Sequence, residues 1–185
     1  MNKTNKLASV AALSAAAFLA GSTWAQQSAA PAAAAANPLD VVPDKMPFDV
    51  PYGAPISLEH ATVAINAAVA EARKHDWKLN VSVVDSGGNL VAFQRMDGAQ
   101  LGSIQISEHK ARAAVTFRRE TKVWEHAIQT NGAQYVMTLD GMIGSRGGIP
   151  LVDGGGRIIG AIGCSGGTGS QDEVACKAGV AALQK

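Results

Sequence analysis

The sequence predicts an α+β fold in which one antiparallel sheet is covered by helices. Three observations lead there. Two pairs of short apolar segments are each joined by a glycine-rich turn, the mark of a hairpin. Helical periodicity precedes, separates and follows those pairs. The resulting order of helix, hairpin, helices, hairpin and helix lacks the alternating crossovers that a parallel sheet requires.

Ser57 caps a helix through LEHATVAINAAVAEARKH, where Leu58, Ala61, Ile65, Ala68 and Ala72 recur at helical spacing, and Asp76-Trp77 ends it. In KLNVSVVD, Lys78 to Asp85, the residues Leu79, Val81 and Val83 alternate with Lys78, Asn80 and Ser82. The turn Ser86-Gly87-Gly88-Asn89 then returns the chain through LVAFQR, Leu90 to Arg95. A second long helix is expected from Ser103, as its cap, to Arg119, and a shorter one from Lys122 to Thr130 before the breaker pair Asn131-Gly132. YVMTLDGMIGSRGG is ambiguous between strand and loop. Ile149 to Val152 and Arg157 to Cys164 flank Asp153-Gly154-Gly155-Gly156 and form the second hairpin. The last helix is expected to start at Ser170, whose S-x-x-E relation to Glu173 reads as a capping box, and to run towards Leu183.

The amino terminus has the form of a signal peptide over residues 1–25. Lys3 and Lys6 precede an apolar, alanine-rich run, and Thr23-Trp24-Ala25 offers small residues to a signal peptidase. The run from Leu7 to Ala20 is short for a membrane span, so the expectation is a periplasmic or secreted protein with no stable membrane insertion. Taking Lys3 and Lys6 from the 16 basic residues leaves 14 against 15 acidic ones, a balance that offers no bulk attraction to nucleic acid. Residues 26–41, rich in alanine and proline without an apolar stripe, read as a flexible tether. Residues 42–185 are enough for one domain with a real core and too few for two.

Several motifs also carry a resemblance. VSVVDSGGNLVAFQRMDGAQLGSIQISEHKARAA, then FRRET, then GGIPLVDGGGRIIGAIGCSGGTGSQDEVACKAG resemble the GlcG/HbpS-like family of small haem-binding proteins, known from glycolate-utilisation operons and secreted haem-responsive sensors. The likeness spans about Ser57 to Leu183. It implies a profilin-like or Roadblock-like α-β-α domain, a compact homo-oligomer, often an octamer, and binding or degradation of haem.

Haem iron needs an axial donor, usually His or Met outside the thiolate enzymes. Of His60, His75, His109 and His126, His109 is the strongest candidate: it shares a helix face with Ala113 and Thr116, and Arg112 lies within one turn to meet a propionate. Lys110 and Arg112 match the family's K-A-R segment. His60 is the second candidate ligand, while His75 and His126 read as terminal or surface residues. Met96, in the RMDGA segment, either approaches the iron or fills the core. Asp85 can bond the amides of its own glycine turn and Asp97 can do the same one strand later, or both face a pocket, with Arg95 the nearby cation for an acidic ligand.

CSGGTGSQDE, Cys164 to Glu173, leaves two readings: a tight strand-to-helix turn, or amides of Gly166 and Gly167, joined by the Ser165 and Thr168 hydroxyls, cradling a carboxylate or phosphate. Ser165, Gly166, Gly167, Gln171 and Asp172 match the family's closing motif. Gly163-Cys164-Ser165-Gly166-Gly167 spells G-x-S-x-G, but no histidine follows it, which argues against a hydrolase triad. Cys164 and Cys176 are either a disulfide or two buried thiols. Two functions result. One is an exported haem-binding protein, serving as carrier, buffer or sensor accessory, or degrading haem. The other is a cofactor-independent enzyme for a small acidic or carbonyl compound, with Gly166-Gly167 as anion cradle and Asp172 or Lys110 moving a proton.

Overall fold

The computed structural model describes residues 40–46 and 48–184. The signal segment and most of the tether lie outside the described residues. The chain divides after Pro43, and the unit that follows, Asp44–Lys185, carries every element discussed below.

Its order is α1 (Leu58–Lys74), β1 (Asn80–Asp85), β2 (Leu90–Arg95), α2 (Gly102–Thr116), α3 (Lys122–Thr130), a 3-10 turn (Gln134–Thr138), β3 (Gly148–Val152), β4 (Ile158–Ser165) and α4 (Gly169–Ala182). The four strands form one antiparallel sheet in the order β2-β1-β4-β3. The two hairpins therefore lie side by side, joined where Asn80 to Asp85 pair with Ser165 to Gly160. Each hairpin turn is tied by an aspartate. Asp85 Oδ1 accepts from the amides of Gly87 at 2.8 Å and Asn89 at 2.9 Å, and Asp153 Oδ1 accepts from Gly155 and Arg157, both at 2.9 Å.

β1 and β4 are central, so both of their faces are covered. On one face α1 and α4 enclose Leu79, Val81, Val83, Ile162 and Cys164, and each fully buried aliphatic side chain contributes about 1.5–3 kcal/mol. On the other face α2 lays Ala111, Ala114 and Val115 over Val84 and Ala161. The alternation in β1 thus has a different meaning from an inside and an outside. Asn80 and Ser82 are fully buried beneath α2, where Ser82 Oγ and Ser107 Oγ lie 2.8 Å apart.

Glycine decides how closely α2 can sit. A Cβ at Gly163 would lie 2.0 Å from the Ser107 carbonyl oxygen, and one at Gly148 would lie 2.2 Å from the Lys110 carbonyl oxygen. The helix therefore rests on the sheet backbone to backbone, and Gly148 of β3 and Gly163 of β4 permit that approach.

Three local expectations are corrected. Ser103 does not cap α2: the helix begins at Gly102 without a side-chain cap, and Ser103 is buried, accepting from Gln100 Nε2 at 2.7 Å. That helix stops at Thr116, because Arg118 takes a φ of +56° and turns the chain away. The capping box of α4 is Thr168 with Gln171, two residues before the Ser170–Glu173 pair. Thr168 N–H donates to Gln171 Oε1 at 2.8 Å while Thr168 Oγ1 accepts from Gln171 N–H at 3.4 Å, which leaves Glu173 for ion pairs.

Candidate functional site

α2 carries two different faces. Ser103, Ser107, Lys110, Ala111 and Ala114 point at the sheet, while Gln105, Glu108, His109, Arg112 and Thr116 line an open groove of about 590 Å³ completed by Gly141. Helical spacing produces this division: 105, 108, 109, 112 and 116 follow the i, i+3, i+4 pattern of one helix face. His109 Nε2 lies 3.2 Å from the Gly141 carbonyl oxygen. Arg112 Nε donates to the Gly88 carbonyl at 3.2 Å, and its Nη2 lies 2.5 Å from Glu108 Oε1. An imidazole and a guanidinium, each hydrogen-bonded yet solvent-accessible, share one depression. Ala113, one turn beyond His109, is fully buried and does not line the groove.

Lys110 lies elsewhere. Its side chain is 2 % exposed, and Nζ donates to Asp172 Oδ2 at 2.8 Å and to the Cys164 carbonyl at 3.1 Å. The second oxygen of Asp172, Oδ1, accepts from the Gly167 amide at 3.1 Å. The expected anion cradle thus holds an anion, but it is the protein's own carboxylate. Burial pushes the Asp172 carboxyl up, opposed by the charge and hydrogen bond of Lys110 and by the amides of Gly167 and Gly166. Ser165 is buried at the end of an antiparallel strand, and Gly166 has a φ of +147°, with a would-be Cβ 2.3 Å from the Lys78 carbonyl oxygen. Lys110, Ser165, Gly166 and Gly167 therefore do not join His109 and Arg112. They build a clamp between α2, β4 and α4, in which Asp172 takes both the amide of the expected cradle and the ammonium of Lys110. Cys164 and Cys176 form a disulfide, with Cα atoms 5.8 Å apart, that ties β4 to α4 beside this clamp.

His60 is exposed on the first turn of α1 and lines a separate depression of about 380 Å³ with Ser57, Ile56, Asp153, Ile159 and Leu183. Met96 packs partly against the core and lines a polar depression with Arg73, Lys78, Arg95 and Asp97. His75 stacks on Trp77 with ring centroids 4.4 Å apart, and His126 Nε2 lies 3.1 Å from Arg146 Nη2. Among the described residues, no three His, Cys, Asp or Glu side chains gather to hold a bare metal ion, and no helix is long and apolar enough to cross a membrane. Sequence reasoning missed Gln105, Glu108 and Gly141. Glu108 stands four residues before Arg112, a readable ion-pair spacing, whereas Gly141 comes from the ambiguous segment and carries no local signal.

The fold defines a class: single-sheet α/β/α domains with helices on both faces; this chain carries an imidazole–guanidinium groove on the outer side of one helix. Within that class, the chain belongs to the family described as haem degrading protein HbpS-like, whose model matches residues 56–181. It is 41 % identical over 110 residues to protein GlcG of Escherichia coli strain K12, covering 60 % of this chain and 81 % of that protein. Among solved structures it resembles a complex of PduOC with haem, at 28 % identity and a TM-score of 0.64, covering 70 % of this chain and 95 % of that one. It also resembles a double mutant of HbpS from Streptomyces reticuli, at 29 % identity and a TM-score of 0.63, covering 77 % and 97 % of the two chains.

Proposed function

We propose that this chain is an exported haem-binding protein, periplasmic or secreted, that works as a homo-oligomeric carrier, buffer or sensor accessory. The observation that carries the reading is the pairing of His109 with Arg112 in one groove. Imidazole is a usual axial donor to haem iron, and a guanidinium matches a propionate carboxylate. The donor set therefore fits the group, and the solved haem complex of PduOC supports haem as the ligand, though not this position for it. Bound there, haem would supply a redox-active iron; this chain's residues supply a ligand, a counter-charge and one wall. The signal-like amino terminus and the Cys164–Cys176 disulfide support export, since such bonds persist in oxidising compartments. Haem degradation, which the family description carries, is a further step that requires an external reductant and oxygen at the iron.

Haemin titration into the signal-cleaved wild type, H109A, R112A and H60A tests the assignment, with circular dichroism as the fold check. H109A is expected to shift the Soret band and lose affinity, R112A to lose affinity with little spectral change, and H60A to behave as wild type. Unchanged Soret position and affinity in H109A refutes the ligand role, and loss confined to H60A moves the site to the α1 depression.

A further inference from the structure

Both ligand-facing side chains of the groove are engaged by acceptors of the protein itself. His109 Nε2 sits 3.2 Å from the Gly141 carbonyl oxygen. On Arg112 the division is sharper: Nε is anchored to the Gly88 carbonyl at 3.2 Å, while Nη2 meets Glu108 Oε1 at 2.5 Å. Glu108 lines the same groove as Arg112, and its side chain is 26 % exposed against 53 % for the arginine. A carboxylate on the groove side of that guanidinium is chemically the same group as a propionate, and the two would claim the same donor edge. The Gly88 anchor lies on a different nitrogen. When one carboxylate replaces the other, the guanidinium can stay where it is, so the exchange needs little reorganisation of the arginine.

We propose that Glu108 is an internal competitor for Arg112 that sets the groove's affinity for carboxylate-bearing porphyrins. This rests on the haem reading of the groove and adds a specificity-determining residue to it. A porphyrin with free propionates must displace Glu108 from Arg112, whereas one with masked propionates leaves the pair intact. As an i, i+4 pair open to solvent, the contact is weak enough to be exchanged by a ligand.

The test measures affinities of haemin and of haemin dimethyl ester, in one buffer, for wild type, E108Q, R112A and the double variant, with circular dichroism confirming the fold of each. E108Q is expected to bind haemin about two- to fivefold more tightly at low salt, the range of a partly exposed ion pair. The gain should vanish for the dimethyl ester and in the R112A background. If R112A weakens haemin binding while E108Q leaves it unchanged or weakens it, the competitor role is overturned and the haem reading stands. An equal gain for the ester, or in the R112A background, also overturns it, because removal of a charge would then act without Arg112. If neither H109A nor R112A alters haemin binding, the haem reading fails and this inference with it.

Discussion

Replacing Lys110 by Met separates the scaffold of α2 from its groove. Methionine keeps most of the length of the side chain but removes the ammonium that faces Asp172 at 2.8 Å, in a pair whose side chains are 2 % and 3 % exposed. Breaking a pair at that depth strands a buried carboxylate and costs about 3–5 kcal/mol. For a folded unit running from Asp44 to Lys185, the unfolding entropy is about 0.3 kcal/mol per degree, so the midpoint should fall by roughly 10–17 °C. Replacing Asp172 by Leu in the same molecule removes the stranded charge and should recover most of the loss, since apolar substitution of both partners is often neutral. Urea and thermal unfolding of K110M, D172L and the double variant measure the coupling. The folded fraction of K110M should bind haemin with the wild-type Soret position, because Lys110 is walled off from the groove. A K110M variant within about 1 kcal/mol of wild type would refute the argument, for that is the worth of a solvent-exposed pair.

Two further results are expected. Gly163→Ala places a Cβ 2.0 Å from the Ser107 carbonyl oxygen and 2.6 Å from the Ala111 nitrogen, so α2 must lift from the sheet; the cost should reach about 3 kcal/mol in urea unfolding, and a loss under about 1 kcal/mol would show that the helix slides freely. Acid should weaken the fold through Glu125 and Glu173. Burial opposes ionisation of both, but hydrogen bonds from Arg146 to Glu125, and from Lys177 and Lys122 to Glu173, outweigh it and hold both carboxyls below the ordinary value of 4.5. Because these folded values are depressed, the stability they contribute is present above about pH 4.5 and is lost as pH falls through the folded values. An E125Q/E173Q variant should therefore show a shallower loss of urea midpoint between pH 6 and pH 3, and an unchanged slope would refute the assignment.

Element types and order were legible because hairpin turns and helical periodicity are local signals. α3 and β2 match the ranges read from the sequence, and Ser57 caps α1 by accepting from the His60 amide at 3.2 Å. What the sequence left open depends on what lies above each residue. Asn80 and Ser82 alternate with valines as they would on a solvated face, yet α2 covers them, and only the assembled sheet shows β1 at its centre. The glycine segment before α4 does offer an amide to a carboxylate, but the carboxylate is the chain's own. That partner, Asp172, is only five residues beyond Gly167, but its own counter-ion, Lys110, is 62 residues away, beyond any local pattern. The groove was half legible: His109 and Arg112 follow from helix spacing, whereas Gly141 reaches them from a segment with no periodicity.

The close seating of α2 on β4 also bears on how such a protein can change. From Glu108 to Arg112, neighbours in sequence answer to unrelated constraints: Lys110 and Ala111 are fixed by the backbone beneath them, while Glu108, His109 and Arg112 meet solvent. Substitutions at the outward positions leave the contact between helix and sheet untouched, so the lining of the groove can change at almost no cost to folding. Substitutions at the inward positions have no such freedom. One short helix thereby combines a nearly immutable underside with an adaptable upper surface, and variation in ligand among chains of this architecture should concentrate on the latter.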